Sequence, residues 1–182
     1  MATLRSDAAR SRANILDVAR THDRATLRLN DVAREAGVGV GTVYRHFPTV
    51  HALIEALSAD ALDAMLETSR RAAAEPDPGD GLALYLGSAL RLQLEDGGLQ
   101  TVLLSPEDEA DSVRNVKREI FESFTTVLEA ARAAGAVRAD LTVDRLSHLV
   151  CGIEHAVRLG TPEDLPLLLQ VMLDGLRPPV SR

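Results

Sequence analysis

The sequence contains no tryptophan, a single cysteine and only 3% aromatic residues. One cysteine, Cys151, excludes a disulfide framework and suits a reducing compartment. The scarcity of aromatic residues leaves Leu, Val, Ile and Ala to build the core, a composition that favours helices. No run of about 18 apolar residues is present, so we expect no membrane-spanning segment. The first residues also lack the apolar stretch of a secretory signal, so we expect a cytoplasmic protein.

Negative charge predominates, but it is unevenly distributed along the chain. The formal net charge is −7. Residues 1–50 contain eight Arg against five Asp or Glu, whereas residues 51–182 contain twelve Lys or Arg against 22 Asp or Glu. Attraction to phosphate is local, because physiological salt screens charges over about 8 Å. The basic N-terminal part is therefore compatible with binding to DNA.

That N-terminal part contains two short helical patterns joined by a glycine turn. Residues 29–36 place Val32, Ala33 and Ala36 on one apolar face, and Gly37 is suited to end this helix. A second short helix spans residues 40–46. Two short helices joined by a tight turn form a helix-turn-helix motif, whose second helix enters the major groove of DNA.

The second helix has an outer face rich in hydrogen-bond donors, which comprises Thr42, Tyr44, Arg45 and His46. Such groups bind phosphate oxygens and base edges. Val43 and Phe47 are four residues apart and are expected to face inward. Gly41 allows a close approach of the backbone to a partner.

These residues resemble a known family. Gly37-Val38, the run from Gly41 to Thr49, and then Ala52-Leu53 are similar to the DNA-binding head of the tetracycline-repressor (TetR) family, over roughly residues 11–57. A later run, residues 134–140, is similar to a turn common in the ligand domains of that family. The resemblance implies an all-α, homodimeric bacterial regulator, usually a repressor that a small ligand releases from DNA.

The resemblance also implies which residues contact DNA, and Asn30 matches a family position that often meets the backbone or a base. The predicted DNA-binding residues are Asn30, Gly41, Thr42, Tyr44, Arg45, His46 and Thr49. Two positions depart from the family pattern. Arg28 stands where Ser or Thr usually caps the first motif helix, and Val50 stands where Lys or Arg usually follows.

Apolar periodicity predicts an all-α chain of about nine helices. Their expected spans are residues 11–21, 29–36, 40–46, 49–74, 82–96, 99–104, 105–134, 142–159 and 165–176. Residues 1–10 are expected to be a disordered arm and residues 75–81 a linker. We therefore predict a helix-turn-helix DNA-binding domain at residues 1–48 and a helical ligand-binding and dimerisation domain at residues 49–182.

The last two predicted helices are apolar on more than one side, which is typical of a helix that is covered twice. In the helix at residues 142–159, one arc contains Leu146, Leu149, Val150, Ile153 and Val157. The opposite arc contains His148, Cys151, Gly152, His155 and Leu159. We predict a homodimer built on these two helices; the alternative is a monomer in which a loop covers the second face.

The middle helices carry many inward apolar residues and few aromatic ones, which suggests a pocket for a small, largely apolar effector. The predicted ligand-binding residues are Leu62, Leu66, Leu86, Leu90, Leu103, Phe121, Phe124, Cys151 and His155. His155 is the expected polar fixture. The alternative is that these side chains form ordinary core.

Another hypothesis rests on His148, Cys151 and His155, which share a helix face. They are metal-ligand types, but the helical rise separates the two histidines by about 10.5 Å, too far to share one ion easily. A metal- or thiol-responsive sensor that uses these residues is one alternative. A helical interaction module that no longer reads DNA is another, and it rests on Val50 and on the acidic charge of residues 51–182. The chain lacks the glycine-rich loop and nucleophile-elbow motifs of common enzymes, so we expect neither enzymatic activity nor a cofactor.

Overall fold

A computed structural model describes residues 2–178, with side chains from Asp7 onward. Every regular element in this range is helical. The α-helices are α1 (Ala2–Arg20), α2 (Leu29–Glu35), α3 (Val40–His46), α4 (Val50–Leu57), α5 (Ala59–Ala73), α6 (Pro78–Glu95), α7 (Leu99–Leu104), α8 (Asp111–Ala133), α9 (Val143–Leu159) and α10 (Leu165–Leu176). A short 3₁₀ helix, Pro162–Asp164, precedes α10. The all-α prediction is confirmed.

The chain divides into two compact units that are not contiguous in sequence. The first unit comprises Met1–Asp60 together with Gly97–Val113, and the second comprises Ala61–Asp96 together with Arg114–Arg182. The short helix α7 therefore belongs with the N-terminal helices. This division differs from the predicted boundary after residue 48, because α4 and α7 both pack with the first unit.

In the first unit, α2 and α3 pack on each other and on α1, while α4 packs on α1 and α7. The fully buried apolar side chains of this unit include Ile15, Ala19, Val32, Val43, Leu53, Leu99 and Val102. Each buried Val, Leu or Ile side chain stabilises the fold by about 1.5–3 kcal/mol relative to exposure. A seven-residue helix such as α3 is unstable in isolation, so this packing is what holds it.

In the second unit, α6 packs on α9, and α9 packs on α10. The fully buried side chains include Met65, Leu82, Leu86, Leu90, Ile120, Phe124, Leu128 and Leu146. Tyr85 stacks on Phe124 with ring centroids 4.1 Å apart.

An ion pair with an exposed arginine explains why α9 carries a buried carboxylate on its packed side. Glu154 is 5% exposed and pairs with Arg158 one turn later. Arg158 also donates from Nη2 to the carbonyl of Gln93 at 2.8 Å. Because the buried carboxylate has a partner, the cost of removing it from water is offset.

The predicted helix at residues 49–74 is in fact two helices, α4 and α5, which adds one to the expected nine. The break lies at Ser58, whose backbone turns away with φ −91° and ψ 8°. Its amide still donates to the carbonyl of Ile54 at 2.9 Å. The apolar pattern continues across the break because both helices bury a face, but they bury it in different units. No glycine or proline marks the position.

Two other expected boundaries are wrong. The expected linker at residues 75–81 contains the start of α6 at Pro78, where the Asp77 side chain accepts from the amides of Gly79 and Asp80 at 2.8 and 3.0 Å. Residues 2–10 belong to α1 rather than to a disordered arm.

The predicted helix start at Ser105 is also wrong, because Ser105 ends α7 and α8 begins at Asp111. The end of α8 and the start of α9 agree with the expected spans to within one residue. Thr142 caps α9 by accepting from the amide of Arg145 at 3.2 Å. Gly135 ends α8 with a positive φ of 69°.

The burial of Tyr85 makes a pH dependence of stability testable. Apolar surroundings disfavour the phenolate, so burial raises the pKa of Tyr85 above its ordinary value. The unfolded chain loses this proton near pH 10. The stability that comes from the neutral, buried tyrosine is therefore complete below about pH 10 and is lost as the pH rises above it.

In the variant Tyr44→Phe, Tyr85 is the remaining tyrosine, since the chain has two. We expect its ionised-phenolate absorbance to appear only together with the loss of helical circular dichroism. Tyr85→Phe should shift the alkaline unfolding midpoint to higher pH. Phenolate absorbance that rises near pH 10 while the helices remain intact would contradict this account.

Candidate nucleic-acid interface

Gly37 forms the turn between α2 and α3. Its φ is 65°, and its amide donates to the carbonyl of Arg34 at 3.2 Å while the amide of Val38 donates to that of Ala33 at 3.1 Å. A Cβ atom at this position would meet nothing within 4 Å, so the conformation rather than space requires glycine. Another residue in this left-handed conformation costs about 1–2 kcal/mol.

Two anchors set the orientation of α3. Val43 is 0% exposed and Phe47 is 2% exposed. The guanidinium of Arg12 on α1 lies 5.2 Å from the centroid of the Phe47 ring, a cation–π contact. Asn14, also on α1, donates to the carbonyl of Ala36 at 2.7 Å and so ties the end of α2 to the same support.

With Val43 and Phe47 buried, the opposite face of α3 points to solvent. Tyr44 is 47% exposed, and Gly41 and Arg45 are also exposed. Thr42 and His46 are half-buried. The five α3 residues predicted to bind DNA are thus all solvent-accessible, at different depths.

An open groove of about 550 Å³ lies beside α3 in the first unit. It is lined by Arg28, Leu29, Asn30, Asp31, Tyr44, Pro48, Thr49 and Val50. We call this feature the α2–α3 groove. It brings together three of the predicted DNA-binding residues, Asn30, Tyr44 and Thr49, from three different segments.

Arg28 is a groove residue that the sequence reasoning did not include. It occupies the N-cap position of α2 without making a side-chain cap bond, as its departure from the family pattern suggests. Within residues 7–178, neither Arg28 nor Arg45 has a carboxylate partner, whereas Arg34 pairs with Asp31 at 2.9 Å. Both unpaired guanidinium groups are able to bind phosphate or a base edge.

Gly41 and Thr49 differ in how free they are to contact DNA. A Cβ on Gly41 would meet nothing within 4 Å, so the packing of the chain itself does not require glycine there. The Thr49 hydroxyl accepts from the amide of Ala52 at 3.0 Å and donates to Oε1 of Glu109 at 2.9 Å. A phosphate at Thr49 would therefore have to compete with a carboxylate.

Comparison with known families places this interface in context. Residues 15–57 match the family model of bacterial regulatory proteins of the tetR family, and residues 77–178 match the C-terminal domain of SbtR-like transcriptional regulators. A TetR transcriptional regulator from Streptomyces coelicolor is 30% identical, with 92% of this chain and 98% of that one covered at a TM-score of 0.55.

The chain belongs to the TetR family of bacterial regulatory proteins. It is a DNA-binding transcriptional regulator, a class of protein that typically has no enzymatic activity. The helix-turn-helix, predicted from residues 29–47, coincides with the part matched by the DNA-binding family model.

More distant structures share the fold of this TetR regulator. The regulator PfmR from Thermus thermophilus is 17% identical with a TM-score of 0.64 over 94% of this chain and 97% of that one. The ketosteroid regulator KstR2 of Mycobacterium tuberculosis is 18% identical with a TM-score of 0.66 over 92% and 95%. No curated protein sequence matches the chain. None of the helices in the described range is long and apolar enough to cross a membrane.

The predicted ligand-binding residues are not all in one place. Buried side chains of the second unit include Leu62, Leu66, Leu86, Leu90 and Phe124, while Phe121 and Cys151 are half-buried. Leu103 belongs to the first unit, so it is not part of that core. His155 is exposed rather than buried, which removes it as a polar fixture inside the core.

His148, Cys151 and His155 do not form the metal site considered from the sequence. Among the described residues, the ligand atoms of these three side chains do not converge. His148 and His155 are exposed, and Cys151 is half-buried. Their shared helix face therefore does not amount to a chelating site.

Proposed function

We propose that this regulator represses transcription from a palindromic operator and that a small, largely apolar ligand releases it. The observation that carries the DNA-binding part is the outer face of α3, where Gly41, Tyr44 and Arg45 are exposed beside the α2–α3 groove. The support for this geometry is rigid, because Val43 and Phe47 are buried on the opposite side.

The side chains on this surface divide into two roles. Arg45, on the exposed face of α3, contacts base edges, because a guanidinium hydrogen-bonds a guanine edge with two donors. The other polar side chains contact phosphates and set the position of α3 in the major groove of DNA. They are Arg28, Asn30, Tyr44, His46 and Thr49. Gly41 allows the backbone of α3 to approach the DNA without a side chain between them.

A homodimer would present two such faces to two half-sites. On α9 and α10 the exposed apolar side chains are Leu149, Leu159, Leu167 and Val171, which are 39%, 77%, 65% and 61% exposed. Leu149 and Val171 line a shallow groove of about 380 Å³ together with Ile153 and Leu168. Contiguous apolar surface of this kind marks an interface in a water-soluble chain. A second copy covers it in a two-fold, self-complementary contact.

The ligand would bind in the core of the second unit, among Leu62, Leu66, Leu86, Leu90, Phe121 and Phe124. The break at Ser58 and the unit boundary after Asp60 suggest how the signal travels. α5 lines this core, and one residue separates it from α4 of the first unit. A ligand that shifts α5 therefore acts on α4 through the helix break at Ser58, because the two helices are not one continuous helix.

The first test is specific DNA retention. We expect the protein to retain a palindromic subset of genomic DNA fragments, with an affinity that falls steeply with salt. Arg45→Ala should cost about 1–3 kcal/mol of binding free energy and relax base preference at one position of each half-site. Arg20→Ala is the matched control. It removes the same charge from the same unit, but from an arginine that pairs with Asp17.

Fluorescence anisotropy on a retained fragment measures both variants. Equal losses for Arg45→Ala and Arg20→Ala would mean that only net charge matters and would contradict base readout. If no genomic fragment is retained at low salt, the regulator does not bind DNA, and a helical interaction module becomes the better hypothesis.

The second test concerns the dimer. Val171→Glu places a charge on the exposed apolar surface of α10, where the single chain tolerates it because Val171 is 61% exposed. We expect this variant to sediment as a folded monomer at micromolar concentration and to lose operator affinity. Thr125→Glu, which adds the same charge at an exposed position of α8, should remain dimeric. A monomeric wild-type chain would refute the proposed dimer.

The third test concerns ligand release. Titration of the operator-bound protein with a panel of lipophilic compounds should identify one that displaces DNA. Linkage requires the operator to weaken the binding of that compound by the same factor. Phe121→Ala should change the affinity for the compound, whereas Thr125→Ala, exposed on the same helix, should not. A compound that binds with the same affinity with and without operator would contradict release of DNA through a shift of α5.

A further inference from the structure

A buried carboxylate connects α4 with the segment that precedes α8, within the first unit. The Glu55 side chain is 2% exposed. Its Oε1 accepts from the amide of Glu109 at 2.8 Å and its Oε2 accepts from the amide of Ala110 at 3.1 Å. Each oxygen keeps a second lone pair after these bonds.

A histidine lies one helical turn before this carboxylate. Nε2 of His51 is 3.2 Å from Oε1 of Glu55. This nitrogen is completely buried but has no partner with hydrogen-bond geometry, so the contact with Glu55 has the distance of an ion pair without the alignment of a hydrogen bond. The nitrogen is thus directed at carboxylate oxygen without a well-formed bond to it.

A third side chain completes the group. Asp108 comes from the segment that Glu55 holds, and one ligand atom from each of His51, Glu55 and Asp108 lies within 4.8 Å of the others. Asp108 and His51 are half-buried. The arrangement is therefore an imidazole and two carboxylates that converge from two segments, at the edge of the protein interior.

We propose that His51, Glu55 and Asp108 bind one divalent transition-metal ion. Metal–ligand bonds of about 2.0–2.2 Å place adjacent ligand atoms about 3.0–3.5 Å apart. The separation of 3.2 Å between His51 and Glu55 matches this range. An ion here uses the second lone pair of Oε1 and leaves both backbone hydrogen bonds of Glu55 in place. Three protein ligands also leave positions for water, so the ion is exchangeable.

The ligand set indicates the kind of ion. An imidazole nitrogen suits zinc, iron and nickel, and carboxylates add hard oxygen ligands. Magnesium prefers an octahedral shell of oxygen and keeps most of its water, so it gains little from the histidine. No thiolate is part of the group, which disfavours copper(I). Zinc is therefore the test ion and magnesium the comparison.

The position of this site gives the ion a regulatory meaning, which rests on the proposed function. His51 follows Thr49 by two residues, and Thr49 lines the α2–α3 groove and donates to Glu109. An ion that fixes α4 to residues 108–110 also fixes this hydrogen bond. Occupancy of the site should therefore change the affinity for operator DNA.

The site is tested first without DNA. Chelator-treated full-length protein is titrated calorimetrically with zinc chloride, and its thermal midpoint is measured with zinc and with magnesium. We expect one zinc per chain from the site, and a rise in the midpoint with zinc that magnesium does not match. His51→Ala and Asp108→Asn should each weaken zinc binding at least about tenfold. Loss of a residue that only hydrogen-bonds to a metal ligand already lowers metal affinity by that factor.

The matched control is His155→Ala, which removes an exposed imidazole from α9 and should leave zinc binding unchanged. Glu55→Gln is not used, because Glu55 also holds two backbone amides and its loss would disturb the fold. The proposal is overturned if zinc at micromolar concentration does not bind, or if His51→Ala and Asp108→Asn bind it as the wild type does.

The regulatory step has a separate readout. On a retained genomic fragment, operator affinity should differ at least about threefold with and without zinc in the wild type, a coupling at the lower end of the usual range. It should not differ in His51→Ala. Equal wild-type affinities would overturn the regulatory step. Failure to retain DNA under any metal condition would instead contradict the proposed function, and the calorimetric result would stand by itself.

Discussion

The burial of Val43 and Phe47 is the interaction on which the DNA-binding surface depends. A helix of seven residues has too few internal hydrogen bonds to persist alone, so α3 takes its orientation from these two anchors. With both buried, the rotation of the helix is set and Tyr44 and Arg45 must face outward. Gly37 makes this packing possible, because its positive φ turns the chain from α2 into α3 within a few residues.

The first unit is completed by a segment from the middle of the chain. α7 packs on α4, and the Glu55 carboxylate accepts hydrogen bonds from the backbone amides of Glu109 and Ala110. A buried carboxylate that loses its partners costs several kcal/mol, so these bonds define one preferred position of α4 relative to residues 108–110. The helix that follows the DNA-binding motif is therefore restrained by sequence-distant residues, which makes it sensitive to whatever those residues bind.

Sequence predicted the features that are encoded locally. Three helix ends lie close to their expected positions because a positive φ or a capping hydroxyl has a short-range signature in sequence. They are the turn at Gly37, the end of α8 before Gly135 and the start of α9 after Thr142. The break at Ser58 was missed, since a polar residue inside a continuing apolar pattern resembles an ordinary helical position. The contact between Glu55 and residues 109–110 spans more than fifty positions of sequence, and no periodicity reports such a pairing. Arg28 departs from the family pattern, but nothing in the sequence indicates that it lines the α2–α3 groove.

The face of α9 shows why helical periodicity alone left the second unit ambiguous. Both arcs looked semi-apolar, yet Leu146, Val150 and Val157 are buried whereas Leu149 from the same arc is 39% exposed. Glu154, which belongs to neither arc, is also buried, and Arg158 compensates its charge. The packed face is therefore rotated toward Glu154, and Leu149 joins the exposed surface. That rotation places Leu149 and Ile153 of α9 around one groove with Leu168 and Val171 of α10, and this is the surface that the proposed dimer covers.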